Sequence, residues 1–105
     1  MERKINQEYK DALEIFRQAL DLNLTDQERL ALFILMGNTE AHLKEYNSAI
    51  NYYYQAERLC KDTGSDTALA VVFSNLAVAH QLENDLDGSL ENYFSLLGVF
   101  RKIGH

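Results

Sequence analysis

The side chains able to do chemistry are few in this chain and widely spaced. His42 and His80 stand thirty-eight positions apart, and no HxxxH spacing joins either to a second histidine. A metal or acid–base pair built on them needs a third ligand or partner. The plainer reading is two partly exposed histidines on helix surfaces. Cys60 has Arg58 and Lys61 close by, and cations favour a thiolate. It falls on a helix C-terminal turn, whose dipole disfavours an anion, and no histidine neighbours it; an inert thiol is the better reading. The run Asp85-Leu86-Asp87-Gly88-Ser89 has a faint calcium-loop character. With Gly88 in the sixth position, however, the twelfth is Phe94, where a bidentate glutamate is required. Neither a glycine-rich phosphate loop nor a nucleophile motif occurs. These residues predict no enzyme, no cofactor and no bound metal.

The elements that carry these side chains are more informative. From Phe33 to Cys60 two helical apolar patterns flank a polar turn at Lys44-Glu45. Small residues (Gly37, Ala41, Ala49, Ala56) fall where two helices would touch, with Phe33, Tyr46 and Tyr53 three or four positions from them and Met36 and Ile50 beside them. A shift of forty residues carries Phe33 to Phe73, Met36 to Leu76, Gly37 to Ala77, Ile50 to Leu90, Tyr53 to Tyr93 and Gly64 to Gly104. A backward shift of thirty-seven carries Tyr46 to Tyr9, Ala49 to Ala12, Ile50 to Leu13, Tyr53 to Phe16 and Ala56 to Ala19. Small maps to small and large to large, so one unit occurs two and a half times. Asn23-Leu24-Thr25 reads as a loop and helix cap rather than a glycosylation site, and Thr25 with Glu28 is a capping-box signature. Gly64 supplies a left-handed stop, and Ser65 or Asp66 the next cap. The expectation is five antiparallel helices: one over 1–22, then from Thr25 to about Leu43, Tyr46 to about Asp62, the Ser65/Asp66 cap to about Glu83, and Leu86 to Ile103.

These residues resemble the tetratricopeptide repeat. The family's aromatic, Leu-Gly, aromatic, Ala, aromatic, Ala series reads here Phe33, Met36-Gly37, Tyr46, Ala49, Tyr53, Ala56, and more loosely Phe73, Leu76-Ala77, Leu86, Ser89, Tyr93, Leu96. The chain contains no proline, which usually ends the second helix, and its period is forty rather than about 34 residues. Both departures look like the long-repeat branch of the family, which includes the LGN-type spindle-orientation adaptors. The resemblance implies an all-α fold of helix-turn-helix repeats stacked in a right-handed superhelix, an α–α solenoid. It divides the single domain 1–105 into a partial repeat or capping helix at 1–24 and repeats at 25–64 and 65–105. It also implies a concave groove lined by the first helix of each pair, which falls at Ala31, Ile34, Asn38, Ala41 and His42, then at Val71, Ser74, Asn75, Val78, Gln81 and Leu82. Asn38 and Asn75 occupy positions where the family often holds an extended peptide's backbone, and an amide offers both a donor and an acceptor for that task. The lysine or arginine that grips a terminal carboxylate in chaperone-tail clamps is replaced by Ile34 and Ser74.

Charge and composition set the partners. A net charge of −6 with no Lys/Arg cluster disfavours nucleic acid and anionic membrane, and weakly favours a basic peptide. The longest apolar run, Leu30 to Met36, is far short of the roughly 20 residues a membrane span needs. No basic-then-apolar signal segment opens the chain, and the single cysteine excludes an internal disulfide; both suit a reducing, cytoplasmic location. The last helix is apolar nearly all round, with Leu86, Leu90, Tyr93, Phe94, Leu97, Val99 and Phe100. An end unit of a repeat array needs a polar outer face. The expectation is therefore a piece of a longer array, or self-association through Tyr93, Phe94, Leu97 and Phe100, most simply as a homodimer. Three classes of function remain. A non-catalytic adaptor that binds a peptide segment of a partner protein is favoured, ahead of a structural spacer or oligomerisation segment. Catalysis around His42, His80 and Cys60 is the least supported.

Overall fold

The computed structural model describes residues 2–104, which form five α-helices and, among the described residues, no strand. They are α1 (Glu2–Leu20), α2 (Asp26–His42), α3 (Tyr46–Thr63), α4 (Asp66–Leu82) and α5 (Leu86–Ile103). Short turns join them, and each packs on its chain neighbours: α1 on α2, α2 on α3, α3 on α4 and α4 on α5. Neighbours joined by such short turns run antiparallel. The result is an elongated slab of 45 × 36 × 18 Å. Its radius of gyration of 14.3 Å exceeds the about 13 Å of a compact chain of this length.

The helix ends are set by local chemistry. Thr25 and Glu28 form a reciprocal capping box: the Thr25 hydroxyl accepts from the Glu28 N–H at 3.1 Å, and the Glu28 carboxylate accepts from the Thr25 N–H at 2.9 Å. The Thr25 N–H foremost, and the Thr25 side chain after it, hold the Glu28 carboxyl below its ordinary pKa. Of the two cap candidates for α4, Ser65 serves, accepting from Ala68 N–H. Gly64 ends α3 at φ 72°, in the left-handed region open to glycine without a Cβ penalty.

The two hairpin turns repeat each other bond for bond. Lys44 (φ 62°) and Asn84 (φ 63°) both take the left-handed conformation. Lys44 N–H donates to Ala41 O and Glu45 N–H to Glu40 O; forty residues on, Asn84 N–H donates to Gln81 O and Asp85 N–H to His80 O. Each pair closes a Schellman motif, which satisfies carbonyls that the helix end leaves open.

The core lies where small residues let the helices approach. Ala49, Ala56 and Ala77 are fully buried, as are Met36 and Leu76 at matching positions of the two hairpins. Tyr53 lies across Gly37 so closely that a Cβ added to the glycine would stand 2.7 Å from the ring's Cδ1. Val72, Phe73 and Cys60 complete the seam between the hairpins, and Leu13 seats α1. Val99 is buried in the same core, so the apolar ring expected around α5 is open on its other sides only.

Candidate functional site

The α2 and α4 side chains expected to line a groove have unequal surroundings. Ile34 and Ala41 are half-buried and pack against the core. His42 is exposed, its ring stacked flat on Tyr9 of α1 at a centroid distance of 5.0 Å. Ala31, Val71, Val78, Gln81 and Leu82 are exposed, while Ser74 is half-buried.

Asn38 and Asn75 are half-buried and come together across the α2–α4 boundary. Asn38 Oδ1 accepts from the Tyr53 hydroxyl at 2.6 Å and, at a long 3.5 Å, from Asn75 Nδ2. Burial pushes the Tyr53 hydroxyl up to about 12, so it stays a donor across the neutral range. The bond from α3 fixes the Asn38 amide, and no further side-chain bond among the described residues engages Asn38 Nδ2 or Asn75 Oδ1. That leaves one amide donor and one amide acceptor on the pair, the two groups that a peptide unit complements.

Asn75 also borders an open cavity of about 360 Å³ between α4 and α5. Val71 and Ser74 line it from the groove side, and Leu96 and Phe100 from α5. The structure thus joins part of the expected groove to part of the expected self-association face. Tyr93, Phe94, Leu97 and Phe100 are all exposed, Phe94 at 69% and Phe100 at 54%. Leu96 stands in the repeat series at the position of Ala56, forty residues back, but the sequence reading assigns it to neither surface.

His80 is not the partly exposed surface histidine the sequence suggests. It is buried and bonded at both ring nitrogens. Nδ1 lies 2.9 Å from Asp85 Oδ2, and Nε2 lies 3.0 Å from the Tyr54 hydroxyl. A carboxylate only accepts, so Nδ1 donates to it, which leaves Nε2 to pair with the Tyr54 hydroxyl. Asp85 caps α5 through the Gly88 N–H at 3.0 Å. That bond first, and the His80 ring after it, hold its carboxyl below the ordinary range. A Tyr–His–Asp series therefore ties α3, α4 and the start of α5 together. Asp85 enters the sequence reading only through the rejected calcium loop, and Tyr54 not at all.

Cys60 is buried in the α3–α4 seam, and burial first, then the Glu57 charge, pushes its thiol up. A thiol so placed is a poor nucleophile. Among the described residues no group of three or more His, Cys, Asp or Glu is arranged to hold a metal ion. No described helix is long and apolar enough to cross a membrane.

No family model and no curated protein matches this chain.

Proposed function

We propose that this chain is a tetratricopeptide-like segment of the long-repeat kind, a right-handed superhelical stack whose α2 and α4 surface binds an extended peptide segment of a partner protein. The role is that of a non-catalytic adaptor. The observation that carries this reading is the Asn38–Asn75 pair, with its fixed orientation and its unused donor and acceptor. An amide pair of this kind reads main chain whatever the side chains, while exposed Val71, Val78 and Leu82 supply apolar contact beside it. The matched hairpin turns and the elongated slab support the stacked-repeat architecture. Both nitrogens of His80 are committed within the fold and the Cys60 thiol is buried, which supports a role without chemistry. A single buried free cysteine is in keeping with a cytoplasmic setting.

Selection from a library of displayed peptides, followed by fluorescence anisotropy of the enriched sequences, tests the reading. Wild type is expected to enrich a consensus. The Asn38→Ala/Asn75→Ala double variant is expected to lose about tenfold or more in affinity, as two hydrogen bonds removed imply. A consensus bound equally well by the double variant would rule this surface out. The second reading, an oligomerisation segment, is favoured by the exposed α5 face with Phe94 and Phe100.

A further inference from the structure

The internal repeat brings two sets of residues to the same place in successive units. The shift of thirty-seven that relates α1 to α3 puts Arg17 where Tyr54 stands, and the shift of forty that relates α2 to α4 puts Glu40 at His80 and Glu45 at Asp85. In the later unit this place is closed: His80 lies 2.9 Å from Asp85 and 3.0 Å from Tyr54. In the earlier unit it is open. A cavity of about 380 Å³ separates Lys10, Leu13 and Arg17 of α1 from Glu40, Leu43 and Glu45 around the α2–α3 turn. That is roughly ten times the about 30 Å³ share of one water molecule, enough for a side chain.

Glu40 is the unusual member. It is only 8% exposed and lines this cavity, yet no hydrogen bond or ion pair among the described residues reaches its carboxylate. Where His80 donates to an acidic cap, Glu40 only accepts, and Glu45 beside it only accepts as well. The wall's own donors are Asn6, Lys10 and Arg17, and among the described residues none of them bonds to either glutamate. Arg17 shares the wall but is turned to Glu14, at 3.7 Å, and half-exposed; Lys10 is exposed. Leu13 and Leu43 offer apolar wall for an aliphatic stem, and the net charge of −6 draws cations toward the molecule. A guanidinium has the flat fork of N–H groups that pairs with a carboxylate at two points.

We propose that the cavity between α1 and the α2–α3 turn receives the guanidinium of an arginine side chain from a partner polypeptide, held by Glu40 at its base and Glu45 at its rim. This goes beyond the groove reading and rests on different residues, so either can fail alone. The test is a titration of the full chain with N-acetylarginine amide, followed by the NMR shifts of the Leu13 and Leu43 methyl groups. The uncharged isostere N-acetylcitrulline amide is the control. Saturable shifts with the arginine compound only are expected, weakened about tenfold or more by Glu40→Gln, less by exposed Glu45→Gln, and strengthened by Arg17→Gln. Circular dichroism confirms that each variant is folded; were Glu40→Gln to unfold, Glu45→Gln and Arg17→Gln still decide. Equal response to citrulline, no saturable response, or affinity indifferent to the glutamates and Arg17 would overturn the proposal. So would strongly non-additive stabilities of Arg17→Gln and Glu40→Gln without ligand, since the occupant would then be Arg17 itself.

Discussion

A hydroxyl group buried against an amide carries the first expectation. Tyr53 donates to Asn38 and its pKa is pushed up to about 12, so the fold favours the protonated phenol. A group whose folded pKa lies above its unfolded value contributes stability that is present below the unfolded value, about 10, and lost as pH rises through the folded one. Unfolding free energy should therefore fall between about pH 10 and pH 12 more steeply in wild type than in Tyr53→Phe. Parallel denaturant curves for the two proteins across that window would show that the hydroxyl is not held as described. The phenol itself was easy to place from sequence, three residues before Ala56 on the core stripe of its helix. Its partner was not, because the same asparagine serves equally as a free surface amide until α3 is laid against α2. His80 was hidden for a similar reason. Its two partners, Tyr54 on α3 and Asp85 at the cap of α5, meet it only once the helices are packed.

Among the elements, the hairpin of α2 and α3 depends on one missing side chain. Gly37 has no room for a Cβ beneath the Tyr53 ring, and both residues are fully or nearly fully buried. Gly37→Leu should overpack the contact and cost about 1–3 kcal/mol or more. In a domain of this size that lowers the thermal midpoint by several degrees, about 4–8 °C per kcal/mol. A midpoint unchanged within error would mean that the ring can leave the glycine at little cost. The helices themselves were legible in the sequence to within a residue or two, because periodicity, Gly64 and the Thr25 and Ser65 caps all act locally. The open cavity by Glu40 was not. A glutamate in a helix reads as surface by default, and its burial follows only from where α1 lies.

For the molecule as a whole, the outer side of α5 is expected to set the behaviour in solution. Leu90, Phe94, Leu97 and Phe100 are 46–69% exposed, and each large apolar side chain gains about 1.5–3 kcal/mol when fully covered. Such a patch drives association. Light scattering at micromolar concentration should show the chain above its monomer mass, and Phe94→Glu or Phe100→Glu should return it to monomer. A monomer unaffected by either change would mean that water tolerates this face. The apolar content of α5 was plain in the sequence, but the side it buries was not: Val99 turns inward while Phe100, next to it, does not.

Packing chiefly between chain neighbours has a consequence for how the molecule comes apart. In a globule each element is held from several sides, and losing one exposes the rest. Here α1 is held by α2, and the seam of Ala56, Cys60, Val72 and Leu76 lies beyond it. The first helix can therefore lift away, as the end of a zip does, without opening the teeth between α3 and α4. Resistance to opening then follows position along the row: less at the two ends, where one neighbour does most of the holding, least at α1 with its sparser contact, and greatest in the middle, where α3 and α4 are gripped from both sides.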